Sequence, residues 1–113
     1  MDTVLLVILA LGFGAAGTMK LAGVQPTRDN FDRWVVPAWS RPIVGAIELV
    51  IAGAAVAGIF GSEAGQQLAA LLALWVMVGA IVVHAMAGDQ PKEVAPAAVL
   101  LVCALLLLLT QET

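Results

Sequence analysis

The chain has 113 residues, of which 62% are hydrophobic and only 12% charged, with a formal net charge of −3 and a mean hydropathy of +1.04. A soluble domain carries about 25% charged residues, and one this small has too much surface for its volume to hide so much apolar side chain. A soluble globular fold, a disordered chain, a basic nucleic-acid binder and, with Cys103 as the lone cysteine, an intrachain disulfide scaffold are all excluded.

A helix crossing the hydrocarbon core needs about 20 mostly apolar residues. The first such stretch runs from Thr3 to about Ala22. It opens on Asp2 rather than a basic region, and Lys20 follows its apolar run directly, so it is read as a retained span rather than a signal peptide.

The connection from Gly23 to Ser40 is too long for a simple hairpin. Thr27 can cap a short helix in which Phe31, Trp34 and Val35 share one face. Arg28–Asp32 and Asp29–Arg33 then form i, i+4 pairs on the other face. Phe31, Trp34 and Trp39 are expected at headgroup level as interfacial anchors. This segment is either a cover over the bundle mouth or a plain anchoring loop.

Ser40-Arg41-Pro42 is a helix start signal, and the second span covers 42–60. Gly61 to Gly65 breaks the chain before a third span over 66–86. Gly88 to Glu93 precedes the fourth, 95–110, which is Leu-rich and reads as a lipid- or partner-facing buttress. The expectation is a single all-α transmembrane domain, 1–113. It is an up-down-up-down four-helix bundle with a short interfacial helix between the first two spans. All five Lys and Arg residues fall on or near the side away from the termini. The positive-inside rule then puts loops 23–41 and 87–94 in the cytoplasm and both termini outside.

Three ionisable residues lie within or at the edges of spans: Lys20, Glu48 and His84. Charges are costly in hydrocarbon, so such residues face the bundle interior and often mark function. Glu48 is six residues past Pro42, about 9 Å along the helix, while Lys20 and His84 close the first and third spans. Helical side chains lean toward their own N-terminus. Lys20 and His84 therefore lean toward the membrane centre and Glu48 leans outward, so the three heads converge in depth, while lateral convergence depends on helix rotation. Small residues share these faces: Gly17 and Ala16 near Lys20, Gly45, Ala52 and Ala55 near Glu48, and Ala69, Ala73, Met77 and Ala80 near His84. Such stripes let membrane helices pack closely. Each residue also has a plain reading. Lys20 can snorkel as an anchor, His84 can be a packing histidine, and Glu48 can serve a structural pair. Cys103, mid-span, reads as inert packing, and no metal-ligand set is present.

Three stretches together resemble the DoxX-like family of small bacterial membrane proteins. They are Gly14-Ala-Ala-Gly-Thr-Met-Lys20-Leu-Ala-Gly23, Pro42-Ile-Val-Gly45-Ala-Ile-Glu48-Leu-Val, and Val78-Gly-Ala-Ile-Val-Val-His84. The resemblance covers essentially the whole chain. It implies a four-helix inner-membrane protein and carries Glu48, His84 and Lys20 over as a polar, proton-exchanging cluster in the catalytic role. It further implies a small subunit of a membrane redox complex, linked to quinone or to thiol and sulfur chemistry, rather than an independent enzyme. Quinone is the cofactor so implied, and the partners are the lipid bilayer, a soluble or membrane redox protein, and a second copy of the chain. Two other readings stand beside it: a structural or assembly subunit, and a small proton-coupled transporter. The small multidrug resistance transporters carry their essential Glu in the first helix and are tyrosine-rich, whereas this chain has no Tyr.

Overall fold

The computed structural model describes residues 2–34, Pro37 and 39–110. It contains α1 (Asp2–Ala22), α2 (Gln25–Arg33), α3 (Ser40–Ile59), α4 (Glu63–Ala87) and α5 (Pro91–Thr110). All but α2 are long and apolar enough to span a membrane, so among the described residues there are four candidate spans and one short helix. The chain is an all-α, multi-pass membrane protein. Its long helices pack in a ring, α1 against α3, α3 against α4, α4 against α5 and α5 back against α1. Contact between α1 and α4, across the ring, is slight.

Chain punctuation sets the helix ends. Gly23, at φ +67°, stops α1, with its own N–H and that of Val24 donating to Met19 O. This left-handed turn suits glycine because it has no Cβ. Only Gly23 and Val24 separate α1 from α2, and Val24 serves as N-cap in an extended conformation, with Pro26 in the first turn. The expected cap at Thr27 is therefore corrected: Thr27 lies inside α2 and is buried. Val35, expected on the same face as Phe31 and Trp34, lies outside the described residues, as do Glu112 and the side chain of Asp2. At the start of α4 the Ser62 side chain accepts from Gly65 N–H, which extends the helix three residues beyond the predicted span. Helix α5 likewise begins four residues early, at Pro91, and carries Pro96 within its opening turns.

The core occupies the half of the bundle remote from α2. Leu6, Leu9, Phe13, Ile51, Ala55, Ala69, Ala73, Ala104 and Leu107 are buried there from all of the four long helices. Helix α5 buries Ala97, Cys103, Ala104 and Leu107 against its neighbours and, as expected of a lipid-facing helix, exposes Val99, Val102, Leu105, Leu106 and Leu109 on its other side. In the same half, a Cβ on Gly65 would come within 2.8 Å of Ala54 O and one on Gly58 within 3.1 Å of Gln66 Cα. The α3–α4 hairpin is therefore closed tightly at its turn.

A second close approach joins α1 to α3 near α2. A Cβ on Gly17 would lie 2.7 Å from Gly45 O, and one on Gly45 would lie 3.0 Å from Gly17 O. Backbone meets backbone here, which only glycine permits. Arg41, in the first turn of α3, donates from Nη1 to Lys20 O at 3.1 Å, satisfying one of the carbonyls that a helix leaves free at its C-terminus.

Candidate functional site

The Gly17–Gly45 crossing sets the first polar pair. Lys20 and Glu48 each lie three residues, almost one turn, beyond their glycine, on antiparallel helices whose side chains lean toward one another. Lys20 Nζ sits 2.7 Å from Glu48 Oε1, and Glu48 is only 2% exposed. Lys20 is therefore the partner of Glu48, not a headgroup anchor. The approach is off the hydrogen-bonding line, so Oε1 has an ionic neighbour but no aligned donor among the described residues.

The second polar group is built on the end of α4. Gly88 adopts a left-handed conformation at the C-cap, and Asp89 N–H turns back to donate to His84 O at 3.0 Å. That turn folds Asp89 under its own helix, where its Oδ2 meets His84 Nδ1 at 2.5 Å. Arg33, from the end of α2, donates from Nε to Asp89 Oδ1 at 3.0 Å and from Nη2 to Oδ2 at 3.1 Å. Its Nη2 also reaches Glu93 Oε2 at 3.2 Å. Trp34 Nε1 donates to Asp89 Oδ2 at 2.9 Å, and the Trp34 ring stands edge-on to His84 with centroids 5.0 Å apart.

The paired bonds from Arg33, then the Trp34 N–H, hold the Asp89 carboxyl well below the usual carboxylate range. Because this pKa is depressed, the contribution of Asp89 to the clamp is complete above the ordinary carboxylate value of about 4 and is lost only as pH falls through the lowered one. The clamp is expected to hold throughout the neutral range and down to about pH 4. Asp89→Asn removes the charge that Arg33 and His84 both face. The expected result is amide exchange of α2 at least about tenfold faster while α1 and α3 keep their protection, read by hydrogen exchange in detergent micelles.

Lys20 and Glu48 from the first polar group and Trp34, His84 and Glu93 from the second line one cavity of about 490 Å³, at the α2 end of the ring. Apolar and aromatic side chains make up most of its wall, among them Phe31, Val44, Ile47, Trp75 and Val83. Six of its lining residues are exposed, Pro37, Glu93 and Pro96 toward the α2 end and Ile47, Trp75 and Gly79 farther along α3 and α4, Trp75 at 73%. Ile47 and Gly79 lie about 10–12 Å from the α2-side ends of their helices, at 1.5 Å per residue. The cavity wall thus includes exposed residues of α3 and α4 at hydrocarbon depth as well as exposed residues at the α2 end.

Of the expected residues, Lys20, Glu48 and His84 are all brought to this cavity. Phe31 is buried and Trp34 half-buried. Both face the cavity, with ring centroids 5.2 Å apart, so α2 lies over the bundle mouth. Trp39 is exposed. The expected Asp29–Arg33 pair is not made: Gln25 Nε2 donates to Asp29 instead, and Arg33 is taken up by the carboxylates of the α4–α5 turn. Asp89, Arg33 and Glu93 were missed by sequence reasoning. The available signal was Asp89 five residues after His84, behind a glycine that can cap a helix.

Residues 4–107 match the DoxX-like family, and the chain belongs to that family. No curated protein and no solved structure matched it.

Proposed function

We propose that this chain is a small subunit of a membrane redox complex, rather than an independent enzyme, and that its cavity receives the headgroup of a lipid-soluble quinone. The observation that carries this reading is a single cavity with Lys20–Glu48 on one wall and His84 on another. Its volume of about 490 Å³ lies within the range of small-molecule sites, roughly 300–1,000 Å³. The apolar lining, flat aromatic rings and few convergent polar groups fit a planar headgroup with polar atoms at its ends. Exposed lining residues at hydrocarbon depth, Ile47, Trp75 and Gly79, suit a ligand dissolved in the bilayer.

Bound quinone would supply reversible two-electron, two-proton chemistry, with the electrons coming from a partner protein. This chain's residues would position the ring and handle protons. Glu48 and His84 are the exchanging groups, Lys20 holds the charge of Glu48, and Asp89 orients His84 through Nδ1. With the basic residues clustered at the α2 end, the cavity end faces the cytoplasm of a bacterial inner membrane and the termini face out. A transporter would need the same carboxylate reached from both sides, and the packed core beyond Glu48 favours a site served from one end.

Native mass spectrometry of the protein extracted gently from its own membrane tests the proposal. A retained adduct of quinone mass is expected. Protein that carries no adduct and also fails to take up added decylubiquinone in nanodiscs would overturn it and leave an assembly role.

A further inference from the structure

We infer that the cavity is built to hold the reduced, hydroxyl-bearing form of its membrane-borne ligand in preference to the oxidised, carbonyl form. This inference rests on the quinone reading above and adds to it the redox state that is bound. Two independent polar groups on the cavity wall point the same way.

The first is Glu48. Its Oε1 is buried and lacks an aligned hydrogen-bond donor among the described residues, and Glu48 belongs to the cavity wall. A carboxylate oxygen is an acceptor with more than one lone pair. The ionic approach of Lys20 Nζ at 2.7 Å leaves capacity unfilled. A buried acceptor without a donor is unfavourable, and a ligand O–H removes that cost. A ligand carbonyl brings a second acceptor to the same place and increases it.

The second is His84. Asp89 carries the partners of a fixed anion, two N–H bonds from Arg33 and one from Trp34. An anionic Asp89 accepts, so the proton between it and His84 resides on Nδ1. In the neutral ring the remaining nitrogen, Nε2, is then an acceptor too. The other charged groups packed around His84 are Arg33 and Glu93, already paired with each other, and across the cavity Lys20 and Glu48, paired likewise. Both polar walls thus offer acceptors, and a ring with a hydroxyl at each end supplies a donor to each. A ring with two carbonyls supplies none.

The test uses the full chain in nanodiscs under anaerobic conditions at pH 8, loaded with equal amounts of decylubiquinone and its reduced form, decylubiquinol. Discs are repurified, and both forms are extracted and quantified against protein-free discs. The expected result is reduced ligand retained over oxidised by about tenfold, the size set by one charge-assisted hydrogen bond kept or lost. Glu48→Gln, whose amide can itself donate, is expected to bring the ratio close to one. Equal retention, or preference for the oxidised form, by the unmodified protein overturns the inference while the quinone site stands. Retention of neither form above protein-free discs overturns the quinone reading itself. Should Glu48→Gln fold poorly, Asp89→Asn, which frees His84 to carry its proton on Nε2, is expected to lower the ratio. An unchanged ratio in a folded Glu48→Gln or Asp89→Asn protein removes the acceptor assigned to that residue.

Discussion

Lys20→Met is expected to destabilise the bundle by about 3–5 kcal/mol, the range for removing one partner of a buried ion pair. Methionine keeps most of the volume, so packing along α1 changes little, and the loss comes from leaving the Glu48 charge without its neighbour. Glu48 has nowhere to relocate, because the Gly17–Gly45 crossing holds α3 against α1 at backbone contact. The double variant Lys20→Met/Glu48→Leu is expected to recover most of the loss, since a well-packed apolar pair often matches a buried ionic one. Thermal unfolding of the three proteins in one detergent gives the answer. A single-variant loss below about 1 kcal/mol, typical of an exposed pair, would mean that Glu48 has water within reach.

Gly17→Val is expected to cost about 1–3 kcal/mol or more, the usual range for overpacking. Its Cβ would stand 2.7 Å from a backbone oxygen of α3, and backbone yields less readily than a side chain. The two helices must part, and Lys20 and Glu48, one turn away, part with them. Gly53 gives the contrast. A Cβ there meets nothing within 4 Å, so Gly53→Ala is expected to be neutral or to stabilise by up to about 1 kcal/mol through helix propensity. Measured side by side in the same detergent, the two substitutions separate a close helix crossing from the general effect of losing a glycine. Equal effects would mean that the crossing is looser than described.

Helix count and polarity were legible because apolar run length and glycine–proline punctuation are local properties. The common depth of Lys20 and Glu48 was legible as well, from the direction in which helical side chains lean. Their pairing was not, because lateral convergence depends on helix rotation and Lys20 could equally have turned to the headgroups. Asp89 was not, because its partner Arg33 lies 56 residues away. In the sequence Arg33 has a nearer carboxylate, Asp29, at helical spacing, and the local pair looked sufficient. Tertiary placement decided otherwise: α2 lies over the α4–α5 turn, where two carboxylates compete with one. The cavity was illegible for a different reason. The long helices are apolar nearly all round, so their periodicity says little about rotation, and a cleft depends on rotation and splay. The packed side of α5 was not legible, because Ala97, Cys103 and Ala104 look inconspicuous beside a run of leucines; they are buried together with Leu107, while Leu105, Leu106 and Leu109 are exposed as expected of a lipid-facing helix.

The closed half of the bundle has an energetic meaning for the cell. Leu9, Phe13, Ile51, Ala55, Ala73 and Ala104 are all less than 7% exposed and stack beyond Glu48 with no ionisable side chain among them. A proton held at Glu48 or His84 meets, on that side, a dry plug rather than a wire. The cavity is a cul-de-sac. Under the proposed function, acid–base groups sit inside the membrane here without short-circuiting the electrochemical gradient across it, and proton exchange with a ligand leaves the protein part of the insulation.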